Sequence, residues 1–172
     1  HIDKYEVKLD DYDIKVELTA APRSGMIRFT YPEHEESRIQ IDLARRIGGT
    51  STEQFVEVVD NHIIRGWMKC MPGGWGNGAG QANYTIYFYC LFSRPLVDFG
   101  IWSADIPEGT SRKNESNDDE NYYQYVRNAV IHPQAKVMQG KHLGFYTQFP
   151  TRKDEMRYIF CQYGRRTKEF GT

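Results

Sequence analysis

A glycine-rich stretch at residues 71–82 contains the first side chains whose type and spacing could do chemistry. Residues 73–80 resemble a phosphate-binding loop only in glycine content, because they lack the terminal Lys-Ser/Thr and lead into a strand instead of a helix. Trp75 offers another use, since an indole face suits the C–H face of a sugar ring. Trp102 and Tyr122 are two further candidates for sugar stacking. A plain connecting loop is the competing interpretation, and the sequence favours it.

The titratable side chains form no recognisable catalytic or metal-binding motif. The five histidines include no pair at i, i+4 and no His-x-Glu partner, which argues against zinc. The run Asp118-Asp119-Glu120 does not have the spacing of an EF-hand, so a solvated charge run is favoured over a calcium site. A glycosidase would need two carboxyl groups about 5–10 Å apart, and the acidic residues here fall mostly on outward strand positions or in a polar loop. The residues alone identify no active site.

Length and composition exclude several classes of protein. The chain has 172 residues with 14% aromatic and 40% hydrophobic residues, as expected of one globular domain with its own core. A formal net charge of −1 provides no electrostatic footprint for nucleic acid or an anionic membrane. The chain begins at His1 and not at a methionine, so we expect a trimmed or longer protein. The three cysteines allow at most one disulfide, and buried free thiols are favoured.

The elements that must position any such residues are predicted to be short β-strands. The strongest is 84–92, whose alternating side chains are apolar or aromatic on both faces, so we expect cover on both sides. Residues 33–37 are predicted to be a charged loop, and 122–131 a short helix or an irregular strand. About nine to eleven strands with regular turn signals predict an all-β fold, an antiparallel β-sandwich with one long polar loop and at most a short helix. The other predicted strands are 5–9, 14–18, 26–31, 39–43, 55–59, 63–70, 97–102, 143–149 and 156–161.

We expect one sandwich domain over residues 1–172. Its core strands lie within 5–102 and a polar loop spans 103–121. Returning strands occupy 122–161, and 162–172 form an atypical C-terminal tail.

Several stretches, taken in order, resemble one family. Residues 5–11 (Tyr-Glu-Val-Lys-Leu-Asp-Asp), 16–25 (Val-Glu-Leu-Thr-Ala-Ala-Pro-Arg-Ser-Gly) and 28–32 (Arg-Phe-Thr-Tyr-Pro) look like one continuous block of family 92 glycoside hydrolases, which are exo-acting α-mannosidases and are often described as α-1,2-mannosidases. Each piece is weak, and their shared order over most of the chain makes the resemblance specific. Shorter matches continue at Ile41-Asp42-Leu43, Ile64-Arg65-Gly66, Gly74-Trp75, Tyr87-Phe88, Phe92-Ser93-Arg94-Pro95, Phe99-Gly100 and Gly140-Lys141-His142-Leu143-Gly144-Phe145-Tyr146.

The resemblance implies a non-catalytic, supersandwich-like N-terminal domain. In the family this domain helps to shape the sugar pocket and packs on a helical (α/α) barrel that this chain lacks. The family is calcium-dependent and inverting, and its calcium, general acid and general base belong to the helical domain. The resemblance therefore implies no catalytic residue, no metal ligand and no cofactor in this chain, which we expect to be inactive alone. It also implies a bacterial, periplasmic or secreted protein that acts on mannosides, with the signal peptide outside this chain.

The tail at 162–172 departs from the family pattern. There the family runs into a Ser-x-Glu-x-Ala segment and an Asn-Leu-Glu helix that leads to the barrel. One plausible back-translation of the tail, read one base later, contains Asn-Leu-Glu, so we hypothesise a frameshifted or truncated reading frame. Two alternatives to the enzyme-domain hypothesis stay open: a free-standing carbohydrate-binding module that uses Trp75, Trp102 or Tyr122, and an inactive gene remnant.

Overall fold

The computed structural model describes residues 4–44, 51–70, 84–105 and 124–164, which form a two-layered β-sandwich. Residues 124–126 form one short helical turn. The strands within the described ranges are β1 (Lys4–Leu9), β2 (Ile14–Ala21), β3 (Ser24–Tyr31), β4 (His34–Asp42), β5 (Ser51–Val58), β6 (Ile63–Cys70), β7 (Tyr84–Phe92), β8 (Asp98–Ser103), β9 (Val130–Pro133), β10 (Val137–Gly140), β11 (Leu143–Thr151) and β12 (Glu155–Gly164).

The strands pair antiparallel in two sheets of unequal size. The larger sheet has eight strands in the order β1-β2-β3-β12-β7-β6-β5-β10, and the smaller has four in the order β4-β11-β8-β9. Strand β7 lies at the middle of the larger sheet, between β12 and β6. The prediction of an all-β antiparallel sandwich is confirmed.

The core lies between the inner faces of the two sheets. Val56 and Ile64 from the larger sheet and Ile101 and Phe145 from the smaller are each 0% exposed. They belong to one apolar cluster. This is expected because strands that are buried on one side alternate inward apolar residues with outward polar ones. The inward residues of β7 (Phe88, Cys90, Phe92) contribute to the same cluster.

One prediction about an individual segment was wrong, and another was correct in the described part of its range. The predicted charged loop at 33–37 is the first half of β4, because Ser37 pairs with Phe149 of β11 and its Oγ lies 2.8 Å from Thr151 Oγ1. The pairing with β11 satisfies the backbone hydrogen-bonding groups of this segment, whose polar sequence does not predict a strand. Within 122–131, the described part contains the helical turn and the start of β9, so both alternatives apply to different residues.

The preference for free thiols was also wrong for two of the three cysteines. Cys90 on β7 and Cys161 on β12 stand directly opposite each other and form a disulfide, while Cys70 is free and buried. The pair is 71 residues apart in sequence, and only the strand register brings the two side chains together.

Candidate functional site

The outer face of the eight-stranded sheet, which the smaller sheet does not cover, carries a row of apolar side chains. Ile63, Leu91, Phe160 and Met26 are consecutive cross-strand neighbours on β6, β7, β12 and β3. Leu91, Phe160 and Met26 are 44%, 42% and 39% exposed. At about 4.8 Å between neighbouring strands, these four residues, the apolar row, span about 14 Å.

A second row lies on the same face, four residues further along β6 and β7, and Arg65 and Tyr89 lie between the two rows. Phe55, Trp67 and Tyr87 are neighbours on β5, β6 and β7 and form the aromatic row. The Phe55 and Trp67 rings are stacked, with centroids 5.9 Å apart at an angle of 15°. Lys69 Nζ lies 5.2 Å from the Trp67 ring centroid. Because one ring covers the face of the other, this row is poorly arranged for stacking on sugar rings.

Charged side chains that border these rows are paired within the chain. Arg65 Nε donates to Glu57 Oε2 at 2.8 Å, and Lys69 Nζ lies 2.6 Å from Glu53 Oε2. The aromatic and apolar rows therefore lie beside locally neutralised charge.

Near the sheet edge, Glu17 is the one buried carboxylate among the described residues. Its Oε2 accepts a hydrogen bond from Arg28 Nε at 2.5 Å, and Lys4 and Lys15 pair with its Oε1. Hydrogen bonds from Arg28 and Lys4 lower the pKa of Glu17 to about 2, against an upward effect of burial. A carboxyl held ionised by three cations stabilises the β1–β3 edge and cannot serve as a general acid near neutral pH.

The described carboxyl groups with clearly shifted pKa values are all shifted downward. Hydrogen bonds from Lys4 and Lys69 lower the pKa values of Glu6 and Glu53. Burial acts to raise the pKa of Glu155, but the backbone N–H of Arg152 and the charge of Arg157 outweigh it. A glycosidase acid needs the opposite shift. Among these groups the arrangement offers ion pairs and no acid poised to protonate a leaving group.

The three residues predicted to stack on sugar are not brought together by the described structure. Trp75 and Tyr122 lie outside the described residues, as do residues 71–83, 106–123 and 165–172. Trp102 is 2% exposed, and its indole lies over Gly144, where an added Cβ would fall 1.8 Å from Trp102 Cε2. Sugar stacking by these three side chains stays a prediction.

Trp102 also lines a polar cleft on the outer side of the smaller sheet. The cleft has a volume of ≈ 380 Å³ and is lined by Arg38, Gln40, Asp98 and Tyr146 among others. Burial and the charge of Asp98 raise the pKa of the Tyr146 hydroxyl. Trp102 Nε1 is buried and has no hydrogen-bond partner within the described part of the chain. The cleft combines hydrogen-bonding groups with a covered aromatic ring.

Neither a metal centre nor a membrane-crossing helix is found in the described ranges. No group of three or more His, Cys, Asp or Glu side chains within residues 4–44, 51–70, 84–105 and 124–164 is placed to hold a metal ion. No helix in this part of the chain is long and apolar enough to cross a membrane.

Within the described residues, the fold and its surfaces define an all-β sandwich domain that has two rows of apolar and aromatic side chains on an uncovered sheet face and no assembled acid–base pair. The model for the Glycosyl hydrolase family 92 N-terminal domain matches residues 1–164, and the chain therefore belongs to this family. No curated protein gives a significant match.

Solved structures of family GH92 enzymes match the same region. The α-mannosidase BT3965 from Bacteroides thetaiotaomicron is 26% identical with a TM-score of 0.69, over 94% of this chain and 19% of that chain. The inverting mannosidase BT2199 from Bacteroides thetaiotaomicron VPI-5482 shares the fold, at 16% identity and a TM-score of 0.64, over 96% of this chain and 18% of that one. The chain thus spans about a fifth of the length of the enzymes that it matches.

Sequence reasoning did not identify which sheet face would be exposed. The signal was present in 84–92, where the outward residues Tyr87, Tyr89 and Leu91 are apolar or aromatic, as the inward residues are. We predicted cover on both sides of this strand, but Leu91 is 44% exposed because the smaller sheet covers only the inner face.

Proposed function

We propose that this chain acts as the non-catalytic N-terminal sandwich domain of an exo-acting α-1,2-mannosidase, where it packs on the helical catalytic domain and helps to shape the sugar pocket. The observation that carries the proposal is the family match over residues 1–164 combined with a chain one fifth as long as its enzyme relatives. The downward pKa shifts of Glu6, Glu17, Glu53 and Glu155 support a structural role for these acids.

The proposal extends to the compartment in which the parent enzyme works. The disulfide between Cys90 and Cys161 supports a periplasmic or secreted protein, because such bonds persist in oxidising compartments.

Two assays test the proposed role. The purified chain should not release mannose from α-1,2-mannobiose, and turnover that disappears on changing a single carboxylate in this chain would contradict the proposal. Joined through β12 to the catalytic domain of the BT3965 enzyme in place of that enzyme's own sandwich, the chain should raise mannosidase activity above that of the catalytic domain alone. Equal activity with and without the sandwich would also contradict it.

A titration with mannobiose distinguishes the proposed enzyme domain from a free-standing carbohydrate-binding module. Under the proposed role the isolated chain should show no binding at millimolar sugar. Millimolar binding that is lost in Trp75→Ala but kept in Trp67→Ala would favour a free-standing binding module instead.

A further inference from the structure

We infer that the outer face of the eight-stranded sheet is the surface through which this domain docks on the catalytic domain of its parent enzyme. The docking face consists of the apolar row (Ile63, Leu91, Phe160, Met26) and the aromatic row (Phe55, Trp67, Tyr87). The inference rests on the proposed function and adds to it the surface that makes the contact.

The side-chain pattern of the central strands is the first argument. Strands covered on both faces are apolar on both faces, whereas strands with one wet face alternate apolar and polar side chains. Strands β1 and β2 at the sheet edge follow the second rule, with Lys4, Glu6 and Lys15 pointing outward and paired. Strand β7 follows the first rule, yet Leu91 is 44% exposed. In the described part of the chain, the outer side of β7 therefore has the side chains of a covered strand but is not covered by the second sheet.

The charges around the docking face indicate an apolar partner. Arg65, Lys69 and Arg28 are already paired with Glu57, Glu53 and Glu17. Because these pairs leave little unbalanced charge beside the apolar row, the contact depends on burying Leu91, Phe160 and Met26. Such a contact suits the packing surface of a protein domain and not a nucleic acid or a charged oligosaccharide.

The size of the docking face favours a covalently linked domain over a second copy of the chain. The apolar row spans about 14 Å, given the strand spacing, so it can form only the centre of an interface. A stable complex between separate proteins buries roughly 800 Å² on each partner. Domains linked in one chain hold together through smaller and more polar contacts, because the link supplies a high local concentration.

The course of the chain supports the same partner. The family's N-terminal domain match ends at residue 164, which is also the last residue of β12. Gly164 is paired with Tyr87 of the aromatic row, and Phe160 of the apolar row lies on the same strand. Strand β12 therefore ends beside the docking face, and the region that matches this domain is only 19% of the BT3965 enzyme.

The test measures binding of the 172-residue chain to the separately purified catalytic domain of the BT3965 enzyme by calorimetry. The double variant Leu91→Lys/Phe160→Lys should weaken binding by about tenfold or more, since it places two charges at the centre of the contact. The control Val97→Lys/Val130→Lys changes two side chains that are 78% and 60% exposed outside this face and should bind within about twofold of the unmodified chain.

Other outcomes overturn the inference in distinguishable ways. If the unmodified chain binds and Leu91→Lys/Phe160→Lys binds equally well, the docking face is wrong and the proposed function stands. If the unmodified chain neither binds the catalytic domain nor raises its activity, both the docking face and the proposed function are contradicted. Leu91→Thr/Phe160→Thr, which keeps strand-forming residues and adds no charge, guards against misfolding and should also weaken binding. A dimer of this chain that persists through Leu91 and Phe160 when the catalytic domain is added would assign the face to a second copy.

Discussion

The inward and outward side chains of β7 are similarly apolar but meet different surroundings. Cys90 and Phe92 point inward and are 5% and 4% exposed, whereas Leu91 between them points outward and is 44% exposed. The inner face owes its burial to the four-stranded sheet, and nothing in the described part of this domain does the same for the outer face. In the described residues, the two sheets therefore bury one side of β7 and leave Leu91 on the other side partly exposed.

The largest expected effect is on the inner face. Phe145→Ala should lower the free energy of unfolding by about 3–5 kcal/mol, because the ring is fully buried and its removal leaves a cavity. Leu91→Ala, the matched change on the outer face, should cost less than about 1 kcal/mol in the isolated chain. Urea unfolding of both variants measures the contrast, and equal losses would mean that the outer face is covered after all.

The next effect concerns the link between β7 and β12. Reduction of the Cys90–Cys161 disulfide should destabilise the chain by about 2–5 kcal/mol, since the bond closes a long loop. Dithiothreitol should therefore shift the urea midpoint of the unmodified chain and of Cys70→Ala. Cys90→Ala should show no such shift. If dithiothreitol did not change the urea midpoint of the unmodified chain, the Cys90–Cys161 disulfide would be contradicted.

A smaller effect concerns Glu17 on the outer face near the sheet edge. Its pKa is lowered from 4.5 to about 2 in the folded chain by Arg28 and Lys4, so its contribution to stability is complete above pH 4.5 and is lost as the pH falls towards 2. Glu17→Gln should flatten the pH dependence of the thermal midpoint between pH 5 and 2, within the range set by the two pKa values. Gln162→Ala, which removes an exposed side chain that does not titrate, serves as a control and should keep the pH dependence of the unmodified chain.

Alternation along the chain was sufficient to predict the fold class and most strands, including β7, β11 and the β1–β2 hairpin. It failed where long-range pairing decides the structure. The polar start of β4 is a strand because Ser37 pairs with Phe149 of β11. Cys161 lies opposite Cys90 because of the register between β12 and β7.

The candidate surface was less predictable than the fold. Rows of side chains across a sheet depend on strand order, so Ile63, Leu91, Phe160 and Met26 could not be recognised as neighbours from the sequence. The resemblance to family 92 glycoside hydrolases, in contrast, was readable from local motifs such as Arg28-Phe29-Thr30-Tyr31-Pro32, and the family match confirms it.

The most direct test of the account is side-chain footprinting of the outer face with a solvent-borne radical probe. Labelling of Met26, Leu91 and Phe160 should be high in the isolated chain and fall severalfold when the chain is joined to the catalytic domain, while labelling of Val97 and Val130 should not change. Unchanged labelling of the three outer-face residues in an active joined enzyme would contradict the claim that this face is covered by the catalytic domain.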